Sequence, residues 1–585
     1  MRFTGENARR SSNLLLSLAL SAVLVLAGTT AANAWLFGPG CFLTHEKGDW
    51  LAGDFHQHTL YTDGSTTFDF VMSKNNEFGL DWWANSEHGG ERNRNGNGDF
   101  WDQLNPPVDI LGSYEESGGH QEMWRWQSLR DFVFPDILAA RAAYPDKRIF
   151  SGLEWYVPGH EHCSVAVVGE DATAISAFAY LFDNSLEDVT KTIMDDPRMA
   201  AYGDLSVQTK RNGHYDFVQG ASSVDYTEKE PPAQHADAVA ACAWMQQQYV
   251  AGSIDNAWII FAHIERDGAW TAEDGGGYNI EHFRDFNNAA PDICFGFEGA
   301  PGHQVNHWRG FGNEVDTATG ESKDFGGTYG GVGYYTAEVG GLWDALLGEG
   351  RHWFNFANSD YHAHWTAGGD DFYPGEYQKT WVYAVDADHD GKYSLNEIAD
   401  GLRSGNAYFV HGDLINYLNF EAESYDGKAS MGNDLVIDGS SRFSRGVVLT
   451  IRFKSPKTNN NGDTPIVDHI DLIGGEITGK ISPRDSNYTK ATNDTTKVIA
   501  RFTAADWTRT RSGYYEIKYR VGNLHKDMYF RLRGTNFPVG TAYETDSEGN
   551  PLPDYLATTN LGLDGADEAW ADLWFYSSPI FVYVD

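Results

Sequence analysis

Residues 50–84, WLAGDFHQHTLYTDGSTTFDFVMSKNNEFGLDWWA, hold one complete strand–helix–strand unit. Residues 51–55 form a short apolar run of strand length. Thr66 or Thr67 can cap a helix, because a hydroxyl there accepts from an N–H that the first turn leaves unsatisfied. Phe68, Val71, Met72 and Phe78 follow the helical period, and Gly79 supplies the stop. A second strand is expected at 80–84. Further apolar runs at 148–153, 164–168, 257–262, 292–297 and 352–357 bring the strands to seven, with helical patterns between them. From Trp50 to about Gly412 this alternation predicts a parallel sheet or barrel wrapped by helices. Two Gly-, Asn- and Asp-rich insertions, 89–121 and 169–232, read as long loops around a site.

Beyond Leu414 the pattern becomes an alternation of period two. Leu449, Ile451 and Phe453 alternate with Thr450 and Arg452; Tyr515, Ile517, Tyr519 and Val521 alternate with Glu516, Lys518 and Arg520. These are half-buried antiparallel strands. With runs at 498–502, 529–532 and 580–584 they predict a C-terminal β-sandwich-like domain over 413–585.

The chain has 585 residues, 41% hydrophobic and 22% charged, which is enough apolar material for more than one core. Disorder and collagen-like repetition are excluded. A formal charge of −40, with no Lys/Arg run longer than Arg9-Arg10, argues against a nucleic-acid partner. Residues 1–34 carry Arg2, Arg9 and Arg10, an apolar run over 14–28, and Ala32-Asn33-Ala34. That is the pattern of a cleaved secretory signal, so the protein is expected to be secreted or periplasmic. No second stretch is apolar enough to span a membrane. Cys41, Cys163, Cys242 and Cys294 would then meet an oxidising compartment, where pairing is permitted. Cys294, inside Ile293-Cys294-Phe295, reads equally as a small buried hydrophobe.

The residues beside the seven runs are chemically distinctive. His56 and His58 follow the first run, His88 the second, Glu154 the third, His263 the fifth, Glu298 the sixth, and Asp360 with His362 the seventh; His162 stands just before the fourth. In a β/α barrel the strand ends converge on one face, so side chains spread over the chain can share one pocket. Imidazole and carboxylate are the donors that zinc, manganese and iron take, and a cluster this large suits two or three ions. Such a centre activates water and polarises an ester oxygen. Singly, each residue has a plainer reading: His56-Gln57-His58 would point to opposite faces of a strand, and His263 would be a core histidine.

Taken in order, these residues resemble the polymerase and histidinol phosphatase (PHP) family of metallohydrolases over roughly residues 50–412. Asp54-Phe55-His56-Gln57-His58-Thr59 with Asp63-Gly64, Asn85-Ser86-Glu87-His88, Gly152-Leu153-Glu154, His162, Ala262-His263-Ile264-Glu265-Arg266 and Ser359-Asp360-Tyr361-His362 are similar to its motifs. The second motif more often has Thr-Asp before its histidine, Ile264 replaces a proline, and His160 competes with His162. The resemblance implies an α/β fold, a distorted (β/α)7 barrel over 35–412 followed by the β-sandwich-like domain. It implies metal ligands at His56, His58, Asp63, His88, Glu154, His162, His263, Asp360 and His362, with Glu154 bridging two ions and Glu298 in support. Glu154, His263 and Arg266 are the expected catalytic residues, Arg266 as a clamp for an anion, with Arg92 and Arg94 as weaker clamps.

The 401–408 segment and the closing 574–582 segment resemble a branch that includes carbaryl hydrolase. The function implied is a metal-dependent phosphoesterase acting on a small-molecule ester through water deprotonated by its ions. The alternatives are a carboxyl-ester, carbamate or amide hydrolase on the same site, and a metal-stabilised surface binding protein. Trp101, Trp124 and Trp126 fit either a substrate pocket or a core.

A separate signal spans 386–397. Asp386, Asp388, Asp390, the Lys392 carbonyl and Glu397, with Gly391 for the turn, match an EF-hand-like calcium loop, although Tyr393 departs from the usual aliphatic residue. A structural calcium is expected there.

Overall fold

The computed structural model describes residues 47–88, 93–110, 119–169, 171–183, 234–266, 268–271, 276–307, 327–441 and 446–585, with three short strands between 187 and 229. The expected signal segment, Cys41 and Arg92 lie outside the described residues. Among those described, no helix is long and apolar enough to cross a membrane.

The opening unit forms as its sequence dictates. Strand β1 (Gly48–Asp54) leads to helix α1 (Phe68–Glu77) and strand β2 (Trp82–Ala84). Thr67 caps α1 by accepting from the Phe70 N–H, and α1 buries Phe68, Val71, Met72 and Asn75 on one face. Gly79 turns the chain at φ +75°, in the left-handed region.

The remaining strands of this region are β3 (Arg148–Tyr156), β4 (His162–Val168), β5 (Asn256–Phe261), β6 (Gly296–Ala300) and β7 (Phe354–Ala357). They hydrogen-bond in the order β7-β6-β5-β4-β3-β2-β1. The sheet is mixed, not uniformly parallel. β1, β2 and β3 run parallel, as do β5, β6 and β7, but β4 is antiparallel to both neighbours. The reason is chain length: the few residues between β3 and β4 allow a hairpin but no crossover helix. The path's two ends meet beyond the strands, through a bridge between Gln57 and Tyr361. Inside lies an aromatic cluster in which Trp258 packs against Phe150, Phe55 and Trp82 with ring centroids 4.8, 5.7 and 6.5 Å away.

On its other edge β1 pairs with β8 (Gln378–Val385), which pairs with β9 (Ala407–His411). β9 in turn takes up β16 (Trp574–Ser577), so the sheet passes residue 412 without a break. It continues through β15 (Met528–Thr535), β12 (His469–Glu476) and β13 (Lys497–Thr503), with β17 (Ile580–Val584) also on β15. A second, antiparallel sheet contains β10 (Tyr417–Glu423), β11 (Val447–Lys454) and β14 (Tyr515–Val521). Its alternating residues Leu418, Phe420, Leu449, Ile451 and Phe453 are buried against Ile470, Leu472, Phe530 and Leu532 of the large sheet. Residues Gly48–Asp585 make one compact unit.

The tryptophans in and just after the first insertion are core. Trp101, Trp124 and Trp126 are all buried, so none lines an open pocket. Cys163, Cys242 and Cys294 are free and buried.

Candidate metal centre

β1 stops at Asp54, whose buried carboxylate accepts from the N–H groups of His56 (3.1 Å) and Ser359 (2.7 Å). The N–H of Phe55 donates to the Asn358 side chain at 2.8 Å, and that of His58 to the Tyr361 carbonyl at 2.8 Å. Residues 55–58 are therefore an extended run past the end of β1, free of strict strand alternation. His56 and His58 both reach the same carboxylates for that reason.

Glu154, buried in β3, is the hub. Its Oε1 lies 2.8 Å from His162 Nδ1, 2.9 Å from His263 Nε2 and 3.3 Å from His56 Nε2. Its Oε2 lies 3.0 Å from His58 Nε2 and 3.0 Å from His88 Nε2. Asp360 is a second hub: Oδ1 is 3.1 Å from His56 Nε2 and 3.2 Å from His58 Nε2, and Oδ2 is 3.2 Å from Arg266. Asp63 and His362 form the rim, 3.2 Å apart, with Asp63 31% exposed while Glu154 is 2% exposed. Every residue expected as a metal ligand is thus drawn into one cluster.

Two members carry no signal that singles them out in the sequence. His303 Nε2 lies 2.8 Å from Asp360 Oδ2, and Glu161 Oε2 lies 3.3 Å from His263 Nδ1. His303 follows Glu298 by five residues in a Gly-Pro-rich stretch, which was the available hint. Glu161 adjoins His162 in a short hairpin loop, where neighbouring side chains need not diverge.

A further layer of carboxylates orients these rings. Glu298 accepts from His56 Nδ1 (2.9 Å) and from the Ser164 hydroxyl (2.7 Å), which leaves His56 Nε2 facing the hubs. Asp371 does the same for His303 at Nδ1 (2.5 Å) and also accepts from the His362 N–H (2.6 Å). Glu87 receives the hydroxyls of Thr59 (2.5 Å) and Thr62 (2.8 Å), and Arg94 Nε donates to the Leu60 carbonyl (2.9 Å). Together they hold the loop that carries Asp63, with Arg94 reaching the backbone carbonyls of Leu60, Thr62 and Gly64. Of seven described non-glycine residues with positive φ, three are here: His263 (29°), His303 (65°) and Asp360 (45°). Left-handed backbone at such residues costs on the order of 1–3 kcal/mol each, which the surrounding contacts must offset.

The electrostatics follow from packing imidazoles around buried carboxylates. Burial disfavours charge on Glu154, but His162, His56 and His88 outweigh it and hold its pKa well below the carboxylate range. Asp360 is held down in the same way by His56, His303 and His362. His56 is pushed well above the usual imidazole range, because Asp360, Glu298 and Glu154 overcome its desolvation. Burial alone dominates Asp54, raised to about 7.

The donor set fits divalent metals. His56 Nε2, both ring nitrogens of His58, His263 Nδ1, His303 Nε2 and Asp360 Oδ1 are buried without a hydrogen-bond partner, although several lie near 3 Å from an opposite charge. Atoms that are close but misaligned for hydrogen bonding are aimed at a shared point, as ligands are. They fall into overlapping groups with ligand atoms within 4.8 Å of one another: His56, His58, Glu154 and Asp360; His58, Asp63 and His362; His88, Glu154 and His162; Glu161, His162 and His263. Mixed nitrogen and oxygen donors of this kind suit zinc, manganese or iron.

His160 takes no part. Its ring sits in a separate cluster with His235 and His282, 2.8 Å from His235 Nδ1, and donates from Nδ1 to the Gly277 carbonyl. In the 386–397 loop, Asp386 accepts from the Gly391 N–H (3.1 Å), Asp388 from Asp390 (3.0 Å) and Asp390 from Lys392 (2.7 Å). Glu397 spans the loop, accepting from the N–H groups of Ala387 (2.6 Å) and Ser394 (2.8 Å).

No protein-family model and no curated protein matches the chain. Among solved structures it is similar to a two-domain protein of Bacteroides vulgatus containing a predicted PHP-like metal-dependent phosphoesterase. That likeness has 13% identity over 86% of this chain and 93% of the other, with a TM-score of 0.30. It is also similar to a Bifidobacterium adolescentis protein proposed to be a metal-dependent phosphoesterase, at 13% identity over 60% of this chain and 95% of the other, with a TM-score of 0.24.

Proposed function

We propose that the protein is a metal-dependent hydrolase of PHP type, with a phosphate ester of a small molecule as its substrate. The observation that carries this reading is Glu154: one buried carboxylate with five imidazole nitrogens within 3.3 Å of its two oxygens. A carboxylate has about four lone-pair positions for donors, so five rings around it are better explained as ligands that would hold divalent ions together with it. His56, His58, His88, His162 and His263 would hold the ions together with Glu154, joined by Asp63, Glu161, Asp360 and His362. When bound, divalent ions supply water activation and Lewis acidity toward the ester oxygen.

The chain's own residues do the rest. Glu298 and Asp371 keep His56 and His303 turned toward the hubs by accepting hydrogen bonds from their Nδ1–H groups. Arg266, 27% exposed at the edge of the cluster, stabilises ionised Asp360 and adds positive charge where a phosphoryl group would approach. Burial of both hubs keeps bulk water from screening these charges. The seven strands β1–β7, joined end to end by the Gln57–Tyr361 bridge, are read as a distorted seven-stranded barrel whose rim carries the site. Residues 1–34 direct export, and the 386–397 loop takes a structural calcium.

The decisive experiment compares initial rates on matched aryl phosphate monoester, phosphate diester, carboxyl ester and carbamate substrates, with the protein reconstituted in zinc or manganese and a chelator control. Chelator-sensitive turnover highest on a phosphate is the expected result. Preference for the acyl substrates would place the protein with the carbaryl-hydrolase-like branch, and absence of turnover on all of them would favour the binding-protein alternative.

A further inference from the structure

Far along the chain from the histidine ligands, Asp554, Glu568 and Asp572 line one small cavity together with Gly302, Gln304 and Thr328. The cavity has room for about one water-sized body. All three carboxylates are at least 95% buried: Asp554 is 3% exposed, Glu568 5% and Asp572 3%. Asp554 accepts from the N–H groups of Gly330 (2.5 Å) and Gly331 (3.0 Å), and Asp572 Oδ1 from Trp574 Nε1 (2.6 Å). Asp572 Oδ2 and Glu568 Oε1 are buried with no partner at all. Among the described residues no lysine, arginine or histidine pairs with any of the three, and Glu544, also 3% exposed, adds to the repulsion around Glu568.

We infer that this cavity is a second cation site, built for a hard divalent ion such as calcium. Unpaired buried charge is unfavourable, so the group must either hold protons or enclose a cation. Two unsatisfied buried oxygens, on two different residues that line one cavity of ionic size, favour the cation. Every polar side chain lining it offers oxygen, from the three carboxylates, Gln304 and the hydroxyls of Thr328 and Tyr377. No imidazole or thiol is among them, which selects calcium over the transition metals of the histidine centre. The ion would join the C-terminal segment to the 301–304 loop. That loop carries His303 to Asp360, so the cation braces one wall of the metal centre from outside.

Trp574 makes the site testable, because its indole touches Asp572 and can sensitise terbium, a luminescent calcium surrogate. The experiment uses the full mature chain, zinc-loaded, with the 386–397 loop disabled by D386N and E397Q. Titrated with terbium, it is expected to give tryptophan-sensitised emission that saturates at one ion per chain and is displaced by calcium. Adding E568Q or D572N is expected to weaken calcium binding at least about tenfold. Both changes are near-isosteric and remove buried charge. Calcium is expected to raise the melting temperature of the loop-disabled parent and not that of E568Q. Unchanged affinity in both variants, or no calcium binding in the parent, overturns the inference and leaves protonated carboxyls. If neither variant folds, calorimetric titration of the parent decides, with one calcium per chain supporting the site and none removing it.

Discussion

The histidine centre and the carboxylate cavity are similarly buried, yet they solve opposite problems. At the first, carboxylates are outnumbered by imidazoles and held ionised; at the second, carboxylates meet neutral donors and one another but no cationic side chain, and are driven toward the neutral form. Glu154 is pulled well below the carboxylate range by its histidines, whereas Glu568 is pushed well above it by burial and by Asp554 and Asp572. Burial alone therefore says little about a carboxylate's chemistry. What faces it decides, and the same contrast sorts the ions each site can take.

The strongest way to break the comparison is at its first member. Glu154→Ala or His58→Ala should lower metal-dependent turnover by more than about 1000-fold and empty the centre of metal, measured by rate and by elemental analysis. Full activity in both variants would falsify the proposed site. Glu298→Gln and His303→Ala act through ring orientation or one outer contact, and each should reduce metal affinity or activity roughly 10- to 100-fold. A loss as complete as that of Glu154→Ala would move His303 among the main ligands.

Smaller effects sharpen the second member. Chelating calcium should lower the melting temperature by a few degrees, and Asp386→Asn should remove the part due to the 386–397 loop. No shift in either protein would end the calcium reading of that loop. The cavity adds a pH dependence whose sign follows from linkage. Burial raises Asp554 to about 6 and Glu544 to about 7, with Asp564, Glu568 and Asp572 as the nearby acids. Raised carboxyls contribute stability that is full below their unfolded pKa and is lost as pH rises through about 6 to 7. Calcium takes over from those protons, so the melting-temperature gain on adding it should grow from about pH 5 to about pH 8. A gain independent of pH would count against a cation among these acids. Least of all should His160→Ala matter: metal content is expected to stay unchanged, and a lost ion would reinstate His160 as the competitor of His162.

How much of this was legible depends on where the donors sit. Ligands at strand ends announce themselves because an apolar run precedes or follows them, as Ile259-Ile260-Phe261 precedes His263. The strand expected at 292–297 lies instead at Gly296–Ala300, since Cys294 and its neighbours complete the end of the preceding helical turn. The direction of β4 was hidden because apolar composition is the same in a parallel and an antiparallel strand; only the short β3–β4 connection carried the information. Nothing in the sequence marks Glu568 or Asp572, which lie in and at the end of a short helix, Ala566–Ala571, beside the exposed acids Asp564 and Asp567. Their pairing with Gly302 is a product of tertiary packing alone.

The unbroken sheet has a practical corollary for dissection of the protein. A chain ending near residue 412 would strip β16 from β9 and leave the edge of Tyr408–Val410 without its strand partner. Tyr408 and Val410 would lose the second core that now covers them. Such a fragment would keep all nine expected metal ligands and yet expose a sticky β-edge, ready to pair with its own copies. A fragment carrying only the histidine centre is thus predisposed to self-association, which the C-terminal strands prevent by covering β9.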